Sequence, residues 1–387
     1  MKKILYIVLD GLGDRPHPEF ENKTPLDLAN IPFLNRLAEA GQLGVVYTVG
    51  RNISPESDVA VISILGYDAH KYYTGRGPLE CFAEGLEVKD GDLAYRVNFA
   101  TLGKNNEIID RRVGRNLTTG EAQLLAKEIN EKVKLTDADF VFKSTIGHRG
   151  VLLICSRKGR LSARVTNTDP AYGKEGVFGV AKEKFDNFVQ PCLAEDDTEE
   201  AKLAAELTNE FMRKSQEVLS GSEINKKRIK ENKLPANVIL TRDAGDRLPK
   251  FPPLKEKFGI NLGCFVEMPV EKGIALLTGM EIVDLPLPTG NWEKDYSLRA
   301  SKALEAINKF DGLYIHLKGP DEPAHDGNFI KKKEVIEAID SFFFGKLLTQ
   351  LELKLLTQLE LKDVIICVTA DHSTHCILRA HSADPVP

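Results

Sequence analysis

The chain has 387 residues, 42% hydrophobic and 28% charged, with a formal net charge of -5. That length buries a large core, divided by the usual domain size into two or three domains, and the composition is that of an ordinary soluble globular protein. The negative balance gives no general pull toward nucleic acid, no stretch reaches membrane-span length, and no signal-peptide pattern opens the chain, so a cytoplasmic protein is expected, with any anion bound by local arginine clusters.

Residues 4–9 form a nearly continuous apolar run stopped by Asp10 and Gly11. This is the pattern of a strand buried on both faces of an α/β sheet. Ligands gather beyond the carboxyl ends of such strands, so Asp10 is either a ligand or the cap of the next helix. Residues 24–29 and 31–38 carry helical spacing, and 44–49 read as a second strand. Pro55 and the serines around it precede the apolar pattern of 59–65, marking a helix N-terminus whose unpaired N–H groups favour anions. Ser57 is therefore a cap or a nucleophile. Capping is the simpler reading, since Ser is a preferred N-cap residue.

From 72 to about 248 the pattern changes to short alternating strands (94–100, 140–142, 151–154, 237–242) and charged helices. Asp110, Arg111, Arg112 and Arg115 fall beside Gly114, and His148 and Arg149 follow later. Such clustered guanidiniums clamp a phosphate or carboxylate, or else belong to a solvated loop. The acidic helix at 195–217 and the basic stretch at 226–233 read as solvated surface, and 248–253 as a proline-rich linker.

Residues 312–318 and 364–369 return to the buried-strand pattern, and each runs into acids: Asp321, His325 and Asp326 after the first, Asp371 and His372 after the second. Three strands thus deliver carboxylates to one sheet edge. Five of the eight histidines (His316, His325, His372, His375, His381) lie in this last part, which suits a metal or phosphate site. The octapeptide at 346–353 repeats at once at 354–361. Eight residues rotate a helix by roughly 80°, so the two copies cannot present one apolar face identically, and one copy is expected to loop out or extend past the sheet.

Asp321 and His325 meet at one ion if the chain between them makes a helical turn, with His381 as a third donor. Asp10, Asp371 and His372 would hold a second, within reach of Ser57. Two such cations ionise a serine hydroxyl and neutralise charge in an in-line phosphoryl displacement. Mixed Asp/His ligation suits Mn, Zn and Co, and Mg less well.

Val8-Leu9-Asp10-Gly11, Pro55-Glu56-Ser57-Asp58, Pro320-Asp321-Glu322-Pro323-Ala324-His325-Asp326 and Thr369-Ala370-Asp371-His372-Ser373-Thr374 together resemble the alkaline phosphatase superfamily. More narrowly the chain is similar to the archaeal-type cofactor-independent phosphoglycerate mutases. Gly75-Arg76-Gly77, Arg96-Val97-Asn98-Phe99-Ala100-Thr101, Asp110-Arg111-Arg112 and Gly147-His148-Arg149 match as well.

The resemblance implies an α/β metal domain with a mostly parallel sheet flanked by helices, split between 1–72 and 254–387, and an inserted α+β substrate domain at 73–253. It implies one metal on Asp10, Ser57, Asp371 and His372 and another on Asp321, His325 and His381, with Mn the favoured ion. Ser57 would be the nucleophile interconverting 3-phosphoglycerate and 2-phosphoglycerate through a phosphoserine, without bisphosphoglycerate. Asp110 is the expected acid/base group, Arg111, Arg112, Arg115, His148 and Arg149 the glycerate clamps, and Arg242 and Lys272 contacts to the phosphoryl group. The resemblance leads one to expect proline at 375, a single octapeptide, and a further strand and glycine-rich tail after 387. A metal-dependent phosphatase or phosphodiesterase, and a non-catalytic metal-stabilised binding protein, are the alternatives.

Overall fold

The computed structural model describes residues 2–175, 178–182, 184–356 and 364–387. The chain divides into two compact units, Met1–Tyr72 with Lys250–Pro387, and Tyr73–Pro249. The second crossing precedes the expected 253/254. Phe251 packs its ring on Tyr67 and Tyr72, with centroids 4.9 and 5.4 Å apart, and the Tyr67 hydroxyl donates to the Pro252 carbonyl. Residues 250–253 thereby belong with the unit made from the two chain ends.

That unit holds a parallel sheet of five strands in the order Glu281–Ile282, Leu262–Phe265, Gly312–Leu317, Lys3–Leu9, Val364–Thr369. Register sets which side chains meet at its edge. Val8 lies opposite His316 on one side and Thr369 on the other, so Asp10, Lys318 and Asp371 emerge together at the carboxyl edge. Alternation sends Leu5, Ile7 and Leu9 into a core with Ala300 and Ala303 of the helix Trp292–Ala306 and Val335 and Ile336 of Phe329–Ala338. On the opposite face the Tyr6 hydroxyl donates to Ile64, the last residue of the helix Ser57–Ile64.

Residues 44–49 do not form the expected strand. Val46 makes an isolated bridge to Val386, while Leu43 and Val45 are exposed, because both positions beside Lys3–Leu9 are taken. The first octapeptide copy lies within the helix Gly345–Leu356 and buries Leu347, Leu348 and Leu351. The second copy starts in the same helix, and its residues 357–361 lie outside the described residues. Lys332 ties this core to the site above it: its buried ammonium donates to the carbonyls of Gly13 and Thr374 and to the Asp14 carboxylate at 2.7 to 3.0 Å. The loop after the first strand is thereby fastened to the hairpin Ser373–His375 and Ala380–Ser382.

The other unit is an antiparallel sheet centred on the fully buried strand Leu93–Leu102, which pairs with Ile108–Asp110, Arg149–Ser156 and Val238–Gly245; Ala138–Ser144 extends it beyond Arg149–Ser156. Tyr95, Val97 and Phe99 face the helices Thr119–Lys132 and Glu199–Gly221. Expected as solvated surface, Glu199–Gly221 is amphipathic instead: Ala201, Ala204, Leu207 and Phe211 recur at helical spacing and are buried. Ala94, Val151 and Leu153 face the other way, against Cys81 of the helix Arg76–Ala83.

Candidate functional site

In the unit of the chain ends, Asp10 leaves its strand with its amide bonded to the Leu317 carbonyl, and the chain turns at Gly11 with φ +63°. A Cβ at Gly11 would stand 2.8 Å from Asp321 and from the Thr374 hydroxyl, so only glycine lets the backbone pass this close. The N–H groups of Gly11 and His372 both donate to Asp371 Oδ1, at 3.1 and 3.0 Å, which aims Oδ2 at the cluster.

Ser57 is not a cap. Glu56 is the N-cap of Ser57–Ile64, and Ser57 is its first helical residue, its Oγ 3.1 Å from His372 Nε2. The tautomer of His372 follows from its other nitrogen. Thr374 Oγ1 donates its hydrogen to Asp321 Oδ1 at 2.6 Å and so accepts from His372 Nδ1 at 3.0 Å. His372 Nε2 is then a bare acceptor for the Ser57 hydroxyl, 3.4 Å from Asp10 and 3.3 Å from Asp371.

A second group stands beside it. Asp321–His325 forms the expected helical turn, and His381 comes from the strand Ala380–Ser382. His325 Nδ1 donates to the Arg379 carbonyl and His381 Nδ1 to that of Pro55, at 3.0 and 2.9 Å. Both Nε2 atoms therefore carry lone pairs. They lie 3.2 Å apart and 3.4 and 3.5 Å from Asp321 Oδ1. Three electron-rich atoms this close require positive charge among them. A proton on His381 Nε2 meets the same demand: although burial opposes it, the hydrogen bond to Asp321 raises the His381 pKa to about 10. Burial likewise opposes the charge on Asp321 and Asp10, yet His381 and Lys318 respectively hold them well below the usual carboxylate range.

The fit to divalent metals is therefore direct. Asp10 Oδ1 and Asp371 Oδ2 are buried without a hydrogen bond, and the donor set is the mixture of imidazole and carboxylate that Mn, Zn or Co takes. All the ligands expected from sequence, Asp10, Ser57, Asp371, His372, Asp321, His325 and His381, come together here. His375, at the position where the resemblance leads one to expect proline, neither faces solvent nor joins the ligands: it is buried, with Nε2 2.9 Å from Ser382 Oγ and 3.0 Å from Asp384.

Sequence reasoning passed over Lys318 and Glu271. The Lys318 ammonium lies 3.1 Å from Asp10 Oδ2 and pairs with the Glu271 carboxylate, while Lys272, the lysine expected at the site, is exposed on the same helix, Pro269–Leu277. Strand parity was the available signal, since His316 and Lys318 share the face of Val8 and Asp10.

The other unit carries its own polar site, on the sheet face away from the two long helices. Register pairs Arg96 with Arg242 and Asn98 with Arg149. Like charges opposed across a ladder are unfavourable unless an anion is to lie between them. Glu80 lies 2.6 Å from Arg76 and 3.7 Å from Arg96, and the Asp243 carboxylate 3.7 Å from Arg242. Burial and the neighbouring guanidiniums of Arg242 and Arg76 push Arg96 down to about 9. The Nε atoms of Arg96 and Arg242 and Asn98 Oδ1 are buried without hydrogen bonds.

Of the expected clamps, Arg149 borders this cluster, whereas Arg111 is held by Asp169 in a two-point pair at 2.9 and 2.7 Å and stacks over Tyr172. Arg112 is half-buried and Arg115 exposed, beside Asp110, whose carboxylate accepts from the Arg112 amide. Arg242 lies with its guanidinium 3.7 Å over the Tyr172 ring. Arg76, Arg96 and Asn98 extend the set that sequence reasoning assembled.

His148 is pushed down to about 4 by burial and then by the charge of Arg149 and the arginines near it. A depressed histidine is neutral through the physiological range and takes up a proton, at a cost in stability, as pH falls from its unfolded value near 6.5 toward 4. Histidine NMR should place His148 near 4 with Arg149→Met shifting it upward. A titration near 6.5, unmoved by that substitution, would contradict the arrangement.

The comparisons agree with one another. A family model described as 2,3-bisphosphoglycerate-independent phosphoglycerate mutase matches residues 38–225. A protein of that name from Aeropyrum pernix is 43% identical, covering all of this chain and 89% of its own length. A solved structure of a Pyrococcus horikoshii protein superposes with a TM-score of 0.75 at 31% identity, covering all of this chain and 86% of that one. The cofactor-independent phosphoglycerate mutase of Thermoplasma acidophilum gives a TM-score of 0.60 at 32% identity, covering all of this chain and 89% of that one.

Proposed function

We propose, from the premise that this chain belongs to the 2,3-bisphosphoglycerate-independent phosphoglycerate mutases, that it interconverts 3-phosphoglycerate and 2-phosphoglycerate through a phosphoserine on Ser57. The chain is an isomerase of this family. The observation that carries the finer reading is the Ser57 hydroxyl on the bare Nε2 of His372, among acids delivered by three neighbouring strand ends.

Two divalent ions, one on Asp10, Asp371, His372 and Ser57 and the other on Asp321, His325 and His381, would supply charge neutralisation for the phosphoryl group and acidify the serine. The chain's own groups do the rest. Ser57 enters as the alkoxide, its proton lost to solvent; its Oγ forms the bond to phosphorus as the bond to the substrate oxygen breaks, and Asp110, in its acid form, gives that oxygen a proton. The freed glycerate is retained and turns, its carboxylate suited to Arg76, Arg96, Arg149 and Arg242, which outnumber Glu80 and Asp243. Its other hydroxyl then gives its proton to Asp110, attacks the phosphoserine and releases Ser57. Retention of the alcohol distinguishes this reaction from hydrolysis, and a buried guanidinium cluster suits retention. The exchange belongs to glycolysis and gluconeogenesis in the cytoplasm.

With Mn²⁺ and 3-phosphoglycerate but no bisphosphoglycerate, 2-phosphoglycerate is expected, read by coupled assay or ³¹P NMR. Free phosphate in place of the isomer would favour a phosphatase, and no turnover by metal-loaded protein would reject both.

A further inference from the structure

We propose that His316 is an additional ligand of the metal held by Asp10 and Asp371, an imidazole supplied from within the central sheet. The inference rests on the two-metal reading above and goes beyond its ligand set. His316 stands on Gly312–Leu317 opposite Val8, so it points to the same face as Asp10 and lies one step below it. The ring is fully buried and fixed from behind. Its Nδ1 is 3.4 Å from the Glu271 carboxylate and 3.3 Å from the Tyr314 hydroxyl. The carboxylate near Nδ1 favours the N–H on that nitrogen, which leaves the lone pair on Nε2 for an ion, as carboxylates do behind metal-binding histidines.

Nε2 faces Asp371 Oδ2 at 3.5 Å and Asp10 Oδ1 at 3.9 Å. All three of these atoms are buried, and none makes a hydrogen bond. They converge within 4.8 Å of one another as one set of possible ligands. The competing arrangement is a protonated His316 paired with Asp371. A charge-assisted N–H···O⁻ bond closes to about 2.7–2.9 Å. Both carboxylates stand off by more than that. Lys318 does not fill the gap, since its ammonium takes the other oxygen of Asp10. Spacing, burial and unmet lone pairs together describe a place where Asp10, Asp371 and His316 would hold one ion.

Mn²⁺ titration of the full chain, followed by the EPR signal of free Mn²⁺, tests this, with pulsed EPR counting imidazole nitrogens on the bound ion. Wild-type protein should bind two ions. His316→Gln should weaken one of them by at least about tenfold and remove one nitrogen coupling, leaving the other ion and the circular dichroism spectrum unchanged. Glu271→Gln keeps the ring but releases its anchor, and should weaken the same ion; it carries the test if His316→Gln does not fold. Wild-type affinity and an unchanged nitrogen pattern in the variant that folds would overturn the inference while sparing the mutase reading. A wild-type chain that binds no Mn²⁺ would overturn both.

Discussion

Ser57→Ala is expected to lower kcat by about 10⁴-fold or more with the fold and the metal content nearly unchanged. The size follows from the role: removing a nucleophile leaves only what binding and electrostatics supply, and such losses run to many orders of magnitude. That the fold should survive follows from the geometry. The helix Ser57–Ile64 starts at Glu56, and the Ser57 side chain satisfies none of its free N–H groups, so truncation removes one hydrogen bond, to His372. A true N-cap serine would behave differently, costing about 1 kcal/mol of stability when changed to alanine. Steady-state kinetics, thermal unfolding and metal analysis on one preparation separate the cases. Retained turnover, or activity and melting temperature lost together, would return Ser57 to a structural part.

The cluster of carboxylates and imidazoles was legible in the sequence because its members sit at strand ends and in a helical turn, where a buried apolar run announces its own end. Asp10, Asp371 and Asp321 with His325 could each be placed by counting from Leu9, Thr369 and Leu317. The groups behind those ligands were hidden. His316 and Lys318 sit in or beside a strand that reads simply as buried, and finding them needs the pairing partner, since parity has meaning only once Val8 is known to lie opposite. Glu271 comes from a separate helix, and one residue's difference in helical angle decides why it faces in while Lys272 faces out.

The arginines mislead for a related reason. A guanidinium's charge is evident from composition, but whether it meets a substrate or a carboxylate depends on distant residues: Asp169 takes Arg111, whereas Arg96, inside a strand that looks like core, is left without a hydrogen bond at its Nε. The strand expected at 44–49 failed on topology: its β pattern is adequate, but both places beside Lys3–Leu9 are taken by strands from the far end of the chain, and Val46 is left with an isolated bridge to Val386.

Asp10→Asn is expected to cost metal affinity before it costs folding, by about 100-fold or more for one of two ions. The two oxygens of Asp10 have different surroundings. Oδ2 accepts from Lys318, and an asparagine carbonyl can keep accepting there; Oδ1, buried and without a hydrogen bond, is the atom whose charge is needed only when an ion is present. Removing that charge should leave the metal-free protein close to its original stability, because Lys318 retains the Glu271 carboxylate.

The two proteins should then answer a chelator differently. A ligand that binds only the folded state stabilises it by about 2.7 kcal/mol at a hundred times its Kd. EDTA should therefore lower the melting temperature of the wild-type chain by several degrees and that of Asp10→Asn by much less. Asp14, four residues on, supplies the contrast. Its carboxylate pairs with the buried Lys332 and accepts from the Cys376 amide, so it fastens loops instead of binding an ion. Asp14→Asn should lower the melting temperature outright, since it leaves a buried ammonium short of its counter-charge, while the shift caused by EDTA persists. Equal loss of fold and metal in Asp10→Asn, or an undiminished response to EDTA, would make Asp10 a turn residue and the metal centre would have to be sought elsewhere.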